Sequence, residues 1–165
     1  MFERKLQVYD DDGYIGLVNA GSYAAFVDND WQLDQLFRHF SKAINDETLI
    51  VWGTAPGGGT WIVDFLEDPS KQQAFREFES TILVTGERLY LTNYTDLTMA
   101  AQFEDSVLPD KANADLYIEL PSGRYHCQVR QMFVPEEDGN RFVVILRPTE
   151  QKGAPVNDVF WNTSF

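Results

Sequence analysis

The sequence predicts an α+β protein: a mainly antiparallel sheet of about eight short strands with two or three helices packed on it. Three observations carry that reading. Most apolar residues fall in short alternating runs separated by glycine, asparagine, aspartate and serine. Only one long stretch shows a clear helical stripe. No alternating βαβ pattern appears, so a dinucleotide-binding fold is not expected.

The elements follow in chain order. Asp12-Gly13 joins the strand-like Leu6-Gln7-Val8-Tyr9 to Tyr14-Ile15-Gly16-Leu17-Val18. Tyr23 to Val27 is another extended run. Leu33, Leu36, Phe37, Phe40 and Ile44 then fall at i, i+3, i+4, i+7 and i+11, which is one apolar face of a helix. Asp28-Asn29-Asp30 offers acceptors ahead of its first turn, and Asp34 and Arg38 form an i,i+4 pair on its outer face. Thr48–Trp52 and Trp61–Leu66 are strands flanking Pro56-Gly57-Gly58-Gly59. A second, shorter helix is expected from Pro69 through Ala74, Phe75 and Phe78, with Glu67 and Asp68 at its positive end.

Two hairpins follow. A two-residue turn at Gly86-Glu87 sets Val84 opposite Leu89 and Ile82 opposite Leu91. A turn at Ser122-Gly123 sets Leu120 opposite Tyr125, Ile118 opposite Cys127 and Leu116 opposite Val129. Its outer face pairs Glu119 with His126, Tyr117 with Gln128 and Asp115 with Arg130. A further turn at Asp138-Gly139 leads into Phe142-Val143-Val144-Ile145-Leu146, which is apolar on both faces and reads as a central strand. Residues 1–165 read as a single domain. Residues 148–165 carry Phe160, Trp161 and Phe165, too aromatic for a disordered tail, and are expected to pack on that domain.

Composition narrows the function. The 165 residues include 26 acidic and 13 basic side chains, a net charge of −13. Hydrophobic residues make up 44% and aromatics 14%, enough for a packed core, so intrinsic disorder is excluded. The negative charge argues against a nucleic-acid partner, which calls for a basic footprint. No apolar run approaches the ~20 residues of a membrane helix, and no export signal is read at the start. The single cysteine, Cys127, fits a reducing cytosol, so a cytoplasmic location is expected. Residues 1–110 hold 19 acidic and 7 basic side chains, a net of −12, whereas residues 111–165 hold 7 and 6, a net of −1. Asp96, Glu104, Asp105 and Asp110 lie in a stretch with no lysine or arginine between Arg88 and Lys111. These four are the candidate partner-binding residues, because such a charge asymmetry steers a basic partner to one face.

Catalytic constellations are lacking. The glycine triplet is followed by Thr60-Trp61-Ile62-Val63 rather than by lysine and a helix, so it is read as a hairpin loop and not a phosphate cradle. Trp52, Gly57, Gly58, Gly59 and Trp61 are the candidates for an alternative ligand cleft. Asp10-Asp11-Asp12-Gly13 lacks the twelfth-position glutamate of a calcium loop and is read as an acidic turn. His39 and His126 have no clustered partners, no cofactor or metal is expected, and Cys127 falls on a buried face as an inert thiol. The outer row Arg124, His126, Gln128 and Arg130 is the one basic stripe, assigned to cross-strand pairing with Glu119 and Asp115.

Leu120-Pro121-Ser122-Gly123-Arg124-Tyr125, with the strand bearing Cys127 and ending in Val134-Pro135-Glu136-Glu137, resembles a stretch of the small competence-system nuclease inhibitors of bacteria and of other immunity-type proteins. The resemblance implies an acidic α+β protein that blocks a basic enzyme. The sequence therefore predicts a non-catalytic interaction protein with a basic protein partner. The alternative is a small-molecule-binding domain or minor enzyme using the tryptophan and glycine cleft.

Overall fold

The computed structural model describes residues 4–68, 71–133 and 140–162. In chain order the elements are β1 (Arg4–Asp10), β2 (Tyr14–Val18), α1 (Leu33–Asn45), β3 (Leu49–Gly53), β4 (Gly59–Leu66), β5 (Arg76–Val84), β6 (Arg88–Asn93), α2 (Tyr94–Gln102), β7 (Tyr117–Glu119), β8 (Gly123–Gln131) and β9 (Arg141–Pro148). The expected α+β class holds, with nine strands among the described residues, divided between two sheets. One sheet runs β1-β4-β9-β8-β5 and the other β3-β2-β6-β7. All pairings are antiparallel except β4 with β9.

Alternation along the strands explains the layers. Val8, Trp61, Val63, Phe142, Val144, Cys127, Val129 and Ile82 turn one face of the five-stranded sheet inward. There they meet Ile15, Leu17, Ile50, Trp52, Leu89, Leu91 and Ile118 from the four-stranded sheet. The outer face of the smaller sheet, with Tyr14, Val18, Leu49 and Val51, is covered by Leu36, Phe40 and Ile44 of α1 and Leu97 and Ala101 of α2. Leu36, Phe40 and Ile44 of the expected α1 stripe are buried and Phe37 is partly so, whereas Leu33 at its start is exposed; the Asp34–Arg38 pair forms at 3.7 Å. The apolar strand β9 lies in the middle of its sheet, as its two-sided pattern predicts. The turn expected at Asp138-Gly139 falls outside the described residues.

The expected hairpins are corrected. β5 pairs with β8, and β6 with β2 and β7, so the arms around Gly86-Glu87 belong to different sheets. The same is true of β7 and β8 around Ser122-Gly123, of β1 and β2 around Asp12-Gly13, and of β3 and β4 around Gly57-Gly58-Gly59, which is therefore a connection between sheets and not a hairpin loop. The expected inward faces nonetheless hold: Ile82, Val84, Leu89, Leu91, Ile118, Leu120, Tyr125, Cys127 and Val129 are buried, and Leu116 is partly so. They meet across the core rather than side by side.

Three local expectations also change. No helix runs through Ala74, Phe75 and Phe78: residues from Arg76 form β5, because a nine-residue register with β8 outweighs a local helix-start signal. Pro69 itself lies outside the described residues. Tyr23–Val27 is no strand; it is held by Tyr23 N–H on the Asn19 carbonyl and by Val27 and Asp28 N–H on the Ala101 carbonyl. Finally, α1 is capped by Gln32, whose N–H donates to Gln35 Oε1 at 3.2 Å. Asp28 instead accepts from Asp30 N–H, a local turn ahead of the helix.

Candidate functional site

Helix α2 begins at Asn93, whose Oδ1 accepts from Asp96 N–H at 2.9 Å. It ends at Gln102 and is followed by Glu104, Asp105 and a 3₁₀ turn at Lys111–Asn113. The four candidate acidic residues divide into two pairs. Asp96 is partly buried and accepts from Asn113 Nδ2 at 2.6 Å, tying the helix to the 3₁₀ turn. Burial raises its carboxyl above the ordinary value, the Asn113 hydrogen bond opposes this, and the charge of Asp110 adds to it. Asp110 is exposed and accepts from Ala112 N–H at 3.2 Å. Glu104 and Asp105 are exposed, and among the described residues neither has an ion-pair or hydrogen-bonding partner.

These two carboxylates sit just beyond the C-terminal end of α2, where the unpaired carbonyls are already negative, and its last turn has no basic residue. Helix stability alone would place cations there. Beside them the same segment exposes Met99, Phe103 and Val107, at 48%, 41% and 75%. Exposed apolar side chains with unpaired acids beside them in sequence have the composition of a docking surface, with anchors inside a charged rim. Neither α2 nor these exposed side chains are anticipated from the sequence. The readable signal was Asn93 three residues ahead of Asp96, a helix-start pattern before Leu97, Ala100 and Ala101.

The alternative cleft is corrected by burial. Trp52 and Trp61 are 0% and 1% exposed, and both rings pack on Phe142, with centroids at 5.7 and 5.1 Å. They are core residues and frame no open cleft. The glycine triplet has a backbone reason: Gly57 and Gly58 have φ of 79° and 73°, and a Cβ on Gly58 would stand 2.0 Å from the Asp10 carbonyl oxygen. Asp10 itself is buried. Its Oδ1 accepts from the N–H groups of Asp12, Gly13 and Tyr14, and its Oδ2 from Thr54 Oγ1 at 2.7 Å. The aspartate run is therefore an acidic turn closed by its first member.

The basic stripe of β8 is paired with carboxylates other than those expected: β8 neighbours β5 and not β7, which brings Glu77 and Glu79 to it, and Glu47 reaches its end from the segment between α1 and β3. Arg124 holds Glu47 through Nε and Nη2 at 2.7 and 2.9 Å, His126 lies 3.6 Å from Glu79, and Arg130 donates to Glu77 at 3.0 Å. Glu119 faces Arg88. Cys127 is fully buried, and burial pushes its thiol far above the ordinary range, so it is no nucleophile. Among the described residues no three His, Cys, Asp or Glu side chains gather as metal ligands. No helix among them is long and apolar enough to cross a membrane.

The structure thus defines an α+β sandwich with helices on one sheet and an acidic, apolar-studded connection at its side. Two solved structures share this fold. One is described as crocagin biosynthetic gene J, with a TM-score of 0.56 at 15% identity, covering 91% of this chain and 97% of that one. The other is ComJ from Bacillus subtilis, an inhibitor of the DNA degrading activity of NucA. Its TM-score is 0.50 at 8% identity, covering 88% of this chain and 96% of that one. At these identities the likeness is one of fold, and at that level it agrees with the resemblance to competence-system nuclease inhibitors. No family model and no curated protein matches the chain.

Proposed function

We propose that the chain is a non-catalytic protein of a bacterial cytosol that binds and blocks a basic enzyme, with a DNA-degrading nuclease as the class of partner. The observation that carries this reading is the connection after α2. Glu104 and Asp105 stand against the helix dipole with no cation among the described residues, beside the exposed Met99, Phe103 and Val107. The fold likeness to ComJ supports the choice of a nuclease. In this reading Glu104 and Asp105 meet the partner directly, while Asp96 and Asp110 set the shape of the connection and add to its field. Clustered negative charge raises the encounter rate with a basic enzyme, an effect that weakens as salt shortens the Debye length.

The test begins with a pull-down from the native host and the product of the neighbouring gene. The recovered nuclease is assayed for DNA degradation while the protein is titrated in, with stoichiometric inhibition expected. The double variant Glu104→Lys/Asp105→Lys should weaken association at low salt at least tenfold. Its melting temperature should stay level or rise, because two carboxylates leave the negative end of a helix. Unchanged association at low salt, or a recovered partner that is acidic, overturns the proposal.

A further inference from the structure

The end of the sandwich around Arg76 has an unusual balance of donors and acceptors. Arg76 opens β5 on the same inward face as Phe78, and it stands opposite Gln131 of β8, which in turn stands opposite Phe142 of β9. The guanidinium reaches across the core. Its Nε donates to Gln131 Oε1 at 2.6 Å, and its Nη2 donates to the carbonyls of Gly53 and Thr54 at 3.1 and 3.3 Å. Trp161 lies over it, with Cζ 4.1 Å from the ring centroid, and Trp161 is held at φ 51°.

Every one of these partners is neutral. Among the described residues Arg76 has no carboxylate, although the chain carries an acidic excess of 13. Burial alone pushes the guanidinium down from its ordinary value. The carboxylate of Asp10, which binds Thr54, is already occupied by four donors. A partly buried cation without a counter-charge is costly to maintain.

Donors without acceptors accumulate at the same place. Gln131 is 1% exposed, and because its Oε1 is committed to Arg76, its Nε2 is left as a buried donor with no partner among the described residues. Flipping the amide would set two donors against each other, so the orientation is fixed. Trp52 Nε1 and Trp61 Nε1 are likewise buried and unpartnered, and both rings pack on Phe142 beside Gln131. Nη1 of Arg76 donates to no described residue. Buried donors left unmade are rare in native structures and call for an acceptor.

We propose that this end of the sandwich, built from Arg76, Gln131 and Trp161, is a binding site for the carboxylate of a small organic acid. One negative charge matches one guanidinium, and carboxylate oxygens suit the remaining Nη1 N–H donors of Arg76 and the adjoining amide N–H of Gln131. A phosphate dianion would leave a second negative charge without a cation. The site is separate from the acidic connection after α2 and does not depend on the function proposed for it.

Acetate is the probe, titrated at constant ionic strength with chloride as the balancing ion, and inorganic phosphate is the second arm. Resonances of the Gln131 side-chain amide, Arg76 Nε–H and the tryptophan indoles are followed by nitrogen–proton NMR on the full chain. The expected result is a saturable shift of the Gln131 and Arg76 signals with acetate, abolished in Arg76→Gln. Because Arg76 ties the two sheets together, that variant can fail to fold, so Gln131→Glu is made as well. It keeps the side-chain size and sets a carboxylate of the chain itself against Arg76, and it should weaken acetate binding at least tenfold. No saturable shift in the wild type, undiminished binding in Gln131→Glu, or tighter binding of phosphate than of acetate overturns the proposal.

Discussion

The β8–β9 pair and the β5–β6 pair show nearly the same sequence pattern and opposite outcomes. Both place an apolar residue toward the core at every second position on each side of a connection, although β9 is apolar on its outer face as well. In the first, Val129 stands beside Val144 and Cys127 beside Leu146 in one antiparallel ladder. In the second, Ile82 and Leu91 are in different sheets and face each other through the core. The β7–β8 connection repeats the second case, and the two loops lie together, with Leu120 N–H donating to the Glu87 carbonyl. A period of two states which face a residue takes, because side chains alternate whatever the neighbour is. It does not state whether the two arms exchange backbone hydrogen bonds. That choice is made by strands far away in sequence, here β8 for β5 and β2 for β6.

The largest expected effect tests the side of the comparison that pairs as a ladder. Phe142 is the inner-face residue of the central strand and packs on the rings of both Trp52 and Trp61, so it joins the two sheets. Phe142→Ala should destabilise by about 3–5 kcal/mol, read by chemical denaturation, through lost burial and the cavity left behind. A loss below ~1 kcal/mol would mean that the sheets do not meet through this ring.

How much of this was legible in the sequence follows from the same distinction. Most of the α1 stripe, the central position of β9 and the inward faces around Gly86-Glu87 and Ser122-Gly123 are local or periodic signals, and each is readable. The sheet partners are not, because Gly86-Glu87 and Ser122-Gly123 fit a loop between sheets as well as a hairpin turn. Helix α2 is hard to read because its apolar residues are few and Thr95 and Thr98 interrupt them, and the exposed Met99, Phe103 and Val107 follow no local period, whereas Glu104 and Asp105 beside them stand out by charge alone. The Arg76 end was invisible, since Gly53, Arg76, Gln131 and Trp161 meet only once both sheets are assembled.

A contact between the sheets sharpens the comparison through pH. Glu47, between α1 and β3, is buried, and its carbonyl accepts from Leu83 N–H while its carboxylate holds Arg124 of β8. Burial pushes the Glu47 carboxyl up, but hydrogen bonds from Arg124 and Thr81, with the Arg124 charge, bring it below its ordinary value of 4.5. A carboxyl lowered on folding stabilises the protein above its unfolded pKa, and that stability is lost as pH falls through the folded value. Melting temperature should therefore drop in acid below about pH 4.5. In Glu47→Gln the drop should be shallower and the value at neutral pH lower. Equal acid slopes in the two proteins would remove Glu47 as a link between the sheets.

The smallest effect is the most direct test of arch against hairpin, because the two connections require opposite things of Gly86. A two-residue hairpin turn with glycine first needs positive φ at that glycine, so alanine there would be destabilising by about 1–2 kcal/mol. In the observed connection between the sheets, positive φ falls instead on Glu87, at 63°, and a Cβ on Gly86 would meet nothing within 4 Å. Gly86→Ala should then stabilise the protein by about 0.4–1 kcal/mol, by restricting the unfolded chain. Glu87→Asn should also stabilise, by about 0.5–1 kcal/mol, since asparagine tolerates the left-handed region that glutamate enters at a cost. The measurement is a pair of denaturation midpoints at matched slope. A loss of stability in Gly86→Ala, with no gain in Glu87→Asn, would restore the hairpin and place β5 beside β6.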